Sequence, residues 1–98
     1  TEPFDGMLII LNGAMTGRTL SLSASGIEVG RYVLAPDDDF VSRHHARFFY
    51  ADGRHWIEDL GSLNGTSVNG LAIPKGGRHP LIPGDRVRLA DTFCEFNR

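Results

Sequence analysis

A chain of 98 residues with 41% hydrophobic and 22% charged side chains has the size and composition of one globular domain, outside the disordered, collagen-like and membrane-helix classes. The formal net charge of -2 argues against a general polyanion binder, and among 10 basic residues Lys75 is the one lysine, leaving a set dominated by arginine, the side chain suited to bidentate capture of phosphate or carboxylate. The single Cys94 excludes an internal disulfide and a multi-cysteine zinc site.

Turn residues punctuate the whole chain, with 12 Gly and 5 Pro. Asn12-Gly13, Ser25-Gly26, Asp52-Gly53, Asn64-Gly65, Asn69-Gly70, Gly76-Gly77 and Pro83-Gly84 mark tight turns, several of them tolerant of the positive φ that hairpins need. Between them lie short runs rich in β-branched and aromatic residues. These predict strands over Met7–Leu11, Arg18–Leu22, Ile27–Val29, Ala46–Tyr50, His55–Asp59, Thr66–Val68, Leu71–Ile73, Arg86–Leu89 and Phe93–Phe96. Leu20 and Leu22 alternate with Thr19 and Ser21, and Val87 and Leu89 with Arg86 and Arg88, the period of a half-buried antiparallel strand. Phe48-Phe49-Tyr50 does not alternate and suggests a central strand covered on both sides. Trp56 reads as core or as a groove wall. No long window carries a helical stripe. The expectation is an all-β fold, an antiparallel β-sandwich of about ten to eleven short strands spanning residues 1–98 as a single domain. A start at Thr1 rather than Met suggests a piece of a longer protein. One cysteine and no secretory signal suggest a cytoplasmic setting.

The chemistry concentrates between Gly30 and Gly70. An arginine, Arg31, leaves a strand beside Gly30. A loop then offers Ser42, Arg43, His44 and His45, and a second loop offers Asn64 and Asn69 on turn-forming pairs. Guanidinium, hydroxyl and carboxamide are donors. Gathered at one end of a sandwich they would make a small positive concavity suited to a compact dianion such as phosphate, which has three acceptor oxygens. A carboxamide carries both a donor and an acceptor, so it can also clamp an extended peptide backbone.

Three segments in order, Val29-Gly30-Arg31, Val41-Ser42-Arg43-His44-His45-Ala46 and the run from Trp56 through Asn64-Gly65-Thr66 to Asn69-Gly70, carry a family resemblance. The chain resembles the forkhead-associated (FHA) domain, a phosphothreonine-binding β-sandwich, over nearly its whole length. The resemblance implies that Arg31, Ser42 and Arg43 bind phosphate and that Asn64 clamps the ligand backbone, with Asn69 as a second peptide-binding candidate. It further implies that His45 buttresses the two loops and that Gly30, Gly65, Thr66 and Gly70 shape them. Two features depart from the family pattern. The stretch between Arg31 and Ser42 is short and carries Asp37-Asp38-Asp39, which reads as a solvated loop. Leu63 stands where many members have a Thr or Ser that can reach the phosphothreonine.

Other chemistries fit less well. Ser42, His45 and Asp59 supply the letters of a hydrolytic triad, but no Gly-x-Ser-x-Gly elbow accompanies them. Four histidines and one cysteine lack metal-ligand spacing, and no phosphate loop or dinucleotide fingerprint is present. Arg43–Arg47 lacks the aromatic interleaving of a nucleic-acid platform. The expected function is therefore non-catalytic, without cofactor or metal. The resemblance implies recognition of a phosphothreonine-containing protein or peptide in Ser/Thr kinase signalling, the partner being a kinase or its substrate. No nucleic-acid or membrane partner is expected. The alternative is a phospho-independent protein-interaction domain on the same scaffold.

Overall fold

The computed structural model describes residues 5–98. Among them are ten strands and one short helix: β1 (Gly6–Ile10), β2 (Thr19–Leu22), β3 (Ile27–Val29), α1 (Arg31–Leu34), β4 (Ala46–Ala51), β5 (Arg54–Asp59), β6 (Thr66–Val68), β7 (Leu71–Ile73), β8 (Arg78–Leu81), β9 (Arg86–Leu89) and β10 (Thr92–Asn97). They form two antiparallel sheets, ordered β2-β1-β10-β9-β6-β7 and β3-β4-β5-β8. The alternation read from the sequence decides which faces meet. Leu8 and Ile10 of β1, Val87 and Leu89 of β9, and Cys94 and Phe96 of β10 are fully buried from one sheet, and Ala46, Phe48 and Ile57 close on them from the other. Arg86 and Arg88 point outward between their buried neighbours. This is the packing of a β-sandwich, two inner faces interdigitating around one core.

Three details differ from expectation. Phe49 is 8% exposed, yet no third layer among the described residues covers it. It lies on the outer face of its sheet, beneath the Arg47 guanidinium at 4.4 Å and the Arg78 guanidinium at 5.5 Å from its ring centre. Trp56 stacks beside it at 6.5 Å on that same outer face and donates its indole N–H to the Ala51 carbonyl, so it is not a core residue. Finally, β8 and α1 were not legible as elements. β8 holds Pro80 opposite Trp56. Its place at the end of the sheet order tolerates a residue that has no N–H to give. The single turn of α1 buries Leu34 and leaves Tyr32 and Val33 exposed.

Register positions the functional loops. Val29 pairs with Ala46, and Ala46 pairs with Asp59. The end of β3, the start of β4 and the end of β5 therefore lie side by side. The segment 30–45 leaves and returns at that edge, and the segment 60–65 departs from it to begin β6 in the opposite sheet. The two chemistry-bearing stretches share one end of the sandwich because the strands between them leave no other geometry. No helix among the described residues is long and apolar enough to cross a membrane.

Candidate functional site

The site is built on a close approach at Gly30. A Cβ placed there would sit 1.9 Å from the Arg43 carbonyl oxygen and 2.8 Å from that of Ser42. The backbone is extended at this residue, with φ of -164°, so glycine is required by space and not by conformation. Removing the side chain lets the backbone at 42–43 lie directly on the end of β3. Two hydrogen bonds close the contact: Arg31 N–H to the Ser42 carbonyl and His45 N–H to the Val29 carbonyl, each at 3.1 Å.

Arg31 then reaches back across its own loop. Its Nε donates to the Val41 carbonyl at 2.9 Å and its Nη2 to the Asp39 carbonyl at 3.3 Å. Nη1 faces the Asp39 carboxylate at 3.7 Å. The guanidinium is fixed along one edge by backbone oxygens. Ser42 Oγ accepts the Leu63 N–H at 3.1 Å. An oxygen used as an acceptor keeps its own hydrogen available for a ligand oxygen. Arg43 is exposed, and among the described residues its guanidinium has no ion-pair or hydrogen-bond partner.

His45 is fully buried and ties the loops together. Its Nδ1 accepts the Ser42 N–H at 3.0 Å, and its Nε2 lies 2.8 Å from the Gly65 carbonyl. A ring nitrogen that accepts a backbone N–H carries no proton. The imidazole is thus neutral, with its hydrogen on Nε2 and donated to Gly65. Burial lowers the His45 pKa, outweighing the hydrogen bond to Gly65 and the nearby Asp59 charge. A second tie crosses at the surface, where Asn64 Nδ2 donates to the Phe40 carbonyl at 2.8 Å. This leaves Asn64 exposed at the lip between the loops.

Beneath them lies a network that the sequence reading did not identify. Asp59 is 1% exposed. Its Oδ1 accepts from Ser62 Oγ at 2.5 Å and from Thr66 Oγ1 at 2.7 Å, and its Oδ2 accepts the N–H groups of Gly61 and Ser62 at 3.0 and 3.2 Å. Burial alone would raise the Asp59 pKa. The hydrogen bonds from Ser62, Thr66 and Gly61 overcome it and hold the carboxyl below its ordinary value. A signal was present: an acid at a strand end followed by Gly61 and Ser62 is a side chain placed to cap its own turn. The same contacts disperse the triad letters. Ser42 meets His45 through its backbone N–H and not its hydroxyl, and the Asp59 oxygens accept from the 61–66 segment.

Arg31, Ser42, Arg43, His45, Asn64, Gly65 and Thr66 therefore come together, with Gly30 at the junction. Asn69 and Gly70 lie apart from this cluster's hydrogen bonds. They form the two-residue turn joining β6 to β7, with φ of +50° and +84°. The Asn69 amide is used at both ends, Nδ2 donating to Asp85 Oδ1 and Oδ1 accepting the Arg86 N–H, each at 2.9 Å. An open groove of about 670 Å³ begins at Asn64 and continues along Ser67, Asn69, Arg86, Arg88 and Phe93, without Arg31 or Ser42 in its walls.

The sequence model of the FHA domain matches residues 17–90. The chain belongs to the FHA family. It is 34% identical over 92 residues to the FHA domain-containing protein FhaB of Mycobacterium tuberculosis, covering 91% of this chain and 58% of that protein. The chain thus spans little more than half the length of that relative. A solved FHA domain studied for its phosphothreonine-dependent interactions superposes with a TM-score of 0.81 at 28% identity, covering 96% of each chain. Mycobacterium tuberculosis EmbR, solved in complex with a low-affinity phosphopeptide, superposes with a TM-score of 0.77 at 29% identity, covering 96% of this chain and 24% of EmbR. In the two solved structures the likeness extends over nearly all of this FHA domain.

Proposed function

We propose that this FHA domain is a non-catalytic reader that docks a phosphothreonine-containing segment of a partner protein in Ser/Thr kinase signalling, the partner being a kinase or its substrate. The observation that carries this reading is the close approach at Gly30, which lays the backbone of Ser42 and Arg43 against the end of β3 from which Arg31 departs. Arg31 supplies the main countercharge, Ser42 Oγ donates to a second phosphate oxygen, and Arg43 adds a mobile charge at the rim. Asn64, exposed beside them with Oδ1 unused among the described residues, clamps the peptide backbone. The likeness to EmbR, solved with a low-affinity phosphopeptide, and to the FHA domain of the phosphothreonine-dependence study supports the same ligand class. Asn69 serves the β6–β7 turn, since its amide is committed to Asp85 and Arg86. The reading places the domain in the cytoplasm, where protein kinases meet ATP.

The test is binding to an oriented peptide library in three forms: phosphothreonine, phosphoserine and unphosphorylated. Binding confined to phosphorylated peptides, with phosphothreonine preferred, supports the reading. A single γ-methyl contributes about 1–3 kcal/mol, so the preference over phosphoserine is expected to be strong and finite. Equal binding with and without phosphate would instead make this a phospho-independent interaction domain.

A further inference from the structure

The Asp39 carboxylate faces Arg31 Nη1 at 3.7 Å. Nη1 is the part of the guanidinium that the backbone carbonyls of Val41 and Asp39 leave unbound. The Arg31 side chain is 20% exposed, whereas that of Asp39 is 95% exposed. One partner is held in place and the other is free to swing into water. The Arg31 contacts to Val41 and to the Asp39 backbone do not involve the Asp39 side chain, so the guanidinium keeps its position when that carboxylate leaves. The sequence places this acid at the end of Asp37-Asp38-Asp39, in the short stretch before Ser42.

We propose that Asp39 is an internal competitor for the phosphate of the ligand, pairing with Arg31 in the free domain and displaced when phosphothreonine binds. This rests on the phosphothreonine reading and adds an affinity-setting residue to it. A phosphate forms shorter, charge-assisted and bidentate hydrogen bonds to arginine, and it outcompetes one loosely held carboxylate. The carboxylate is nevertheless present at high effective concentration, because it is part of the same loop. Every ligand therefore binds more weakly than the bare arginine would allow. An exposed ion pair is worth up to about 1 kcal/mol, which corresponds to a deficit of about two- to fivefold in affinity, and salt screens it.

The experiment titrates one phosphothreonine peptide chosen from the library into wild type, Asp39→Asn, Asp37→Asn and Arg31→Ala, each at low and high salt. Asp39→Asn is expected to bind about two- to fivefold more tightly at low salt, with the gain shrinking at high salt. Asp37→Asn removes the same charge from a side chain with no contact to Arg31 and is expected to gain less. Unchanged or weaker binding by Asp39→Asn would overturn the proposal, as would an equal gain in Asp37→Asn, which would indicate a general field. If wild type ignores the phosphate, or Arg31→Ala binds as well as wild type, the phosphothreonine reading itself falls and takes this proposal with it. The arms therefore separate the two failures.

Discussion

His45 Nε2 lies 2.8 Å from the Gly65 carbonyl oxygen, so one buried imidazole joins the loop that carries Ser42 to the loop that carries Asn64. The other ring nitrogen receives the Ser42 N–H. Replacing His45 with Ala removes both bonds, strands the Ser42 N–H and opens a cavity at a fully buried position. A loss of about 2–4 kcal/mol in folding stability is expected. Urea unfolding measures it. Phosphopeptide binding should weaken in the same variant even at temperatures where it stays folded, because Arg31 and Asn64 no longer share a fixed geometry.

Protonation should act on the same tie. Burial lowers the His45 pKa from the ordinary 6.5, so the unfolded chain takes up a proton before the folded one does. The His45 contribution to stability is then full above pH 6.5 and is lost as pH falls from there toward the lower folded value. Asp59 acts in a lower window. Its folded pKa is held below 3.8, so its contribution is full above that value and disappears as pH falls through the folded one. Thermal unfolding from pH 8 to pH 5 should show a falling midpoint in wild type. The part due to His45 should be absent in His45→Gln.

Gly30→Ala tests the junction. A methyl group would meet the Arg43 carbonyl at 1.9 Å, and both neighbours are backbone, so the chain at 42–43 must move away from β3. The expected cost is about 2–4 kcal/mol of stability together with loss of measurable phosphopeptide binding. Amide chemical shifts of Arg31 and Ser42 in the variant would report the displacement. Wild-type shifts there would contradict the close approach.

The two asparagines should separate cleanly. Asn64→Ala removes an exposed loop tie and the proposed peptide clamp, so binding should weaken by about 1–3 kcal/mol with little change in the unfolding midpoint. Asn69→Ala removes the bonds to Asp85 and Arg86 at a positive-φ position. It should destabilise by about 1–3 kcal/mol and leave the dissociation constant nearly unchanged. Paired denaturation and titration of the two variants decide the matter. A binding defect in folded Asn69→Ala would return that residue to the ligand site.

Much of this architecture was legible because the alternating strands state it directly. Val87 and Leu89 between Arg86 and Arg88 name their own faces, and Asn69-Gly70 names its own turn. β8 was not legible because Arg78-His79-Pro80-Leu81 has no alternation and contains a proline; its pairing with β5 is set by the sheet and not by local preference. α1 is one turn, too short for any period to register. Phe49 misled because guanidinium groups and an indole can cover an aromatic ring as well as a second sheet can. In the candidate site, Arg31, Ser42, His45 and Asn64 could be named from the motifs that carry the family resemblance. The Asp59 network and the Arg31–Asp39 contact could not. They depend on where a loop folds back, which residue types alone do not state.

The most direct test of the central claim is calorimetric titration of a phosphothreonine peptide into wild type, Arg31→Ala and Arg31→Lys. Loss of the main countercharge beside a partly buried phosphate should cost about 2–5 kcal/mol in Arg31→Ala. Arg31→Lys should recover part of it, since an ammonium supplies charge without the bidentate fork. Wild-type affinity in Arg31→Ala would contradict the account.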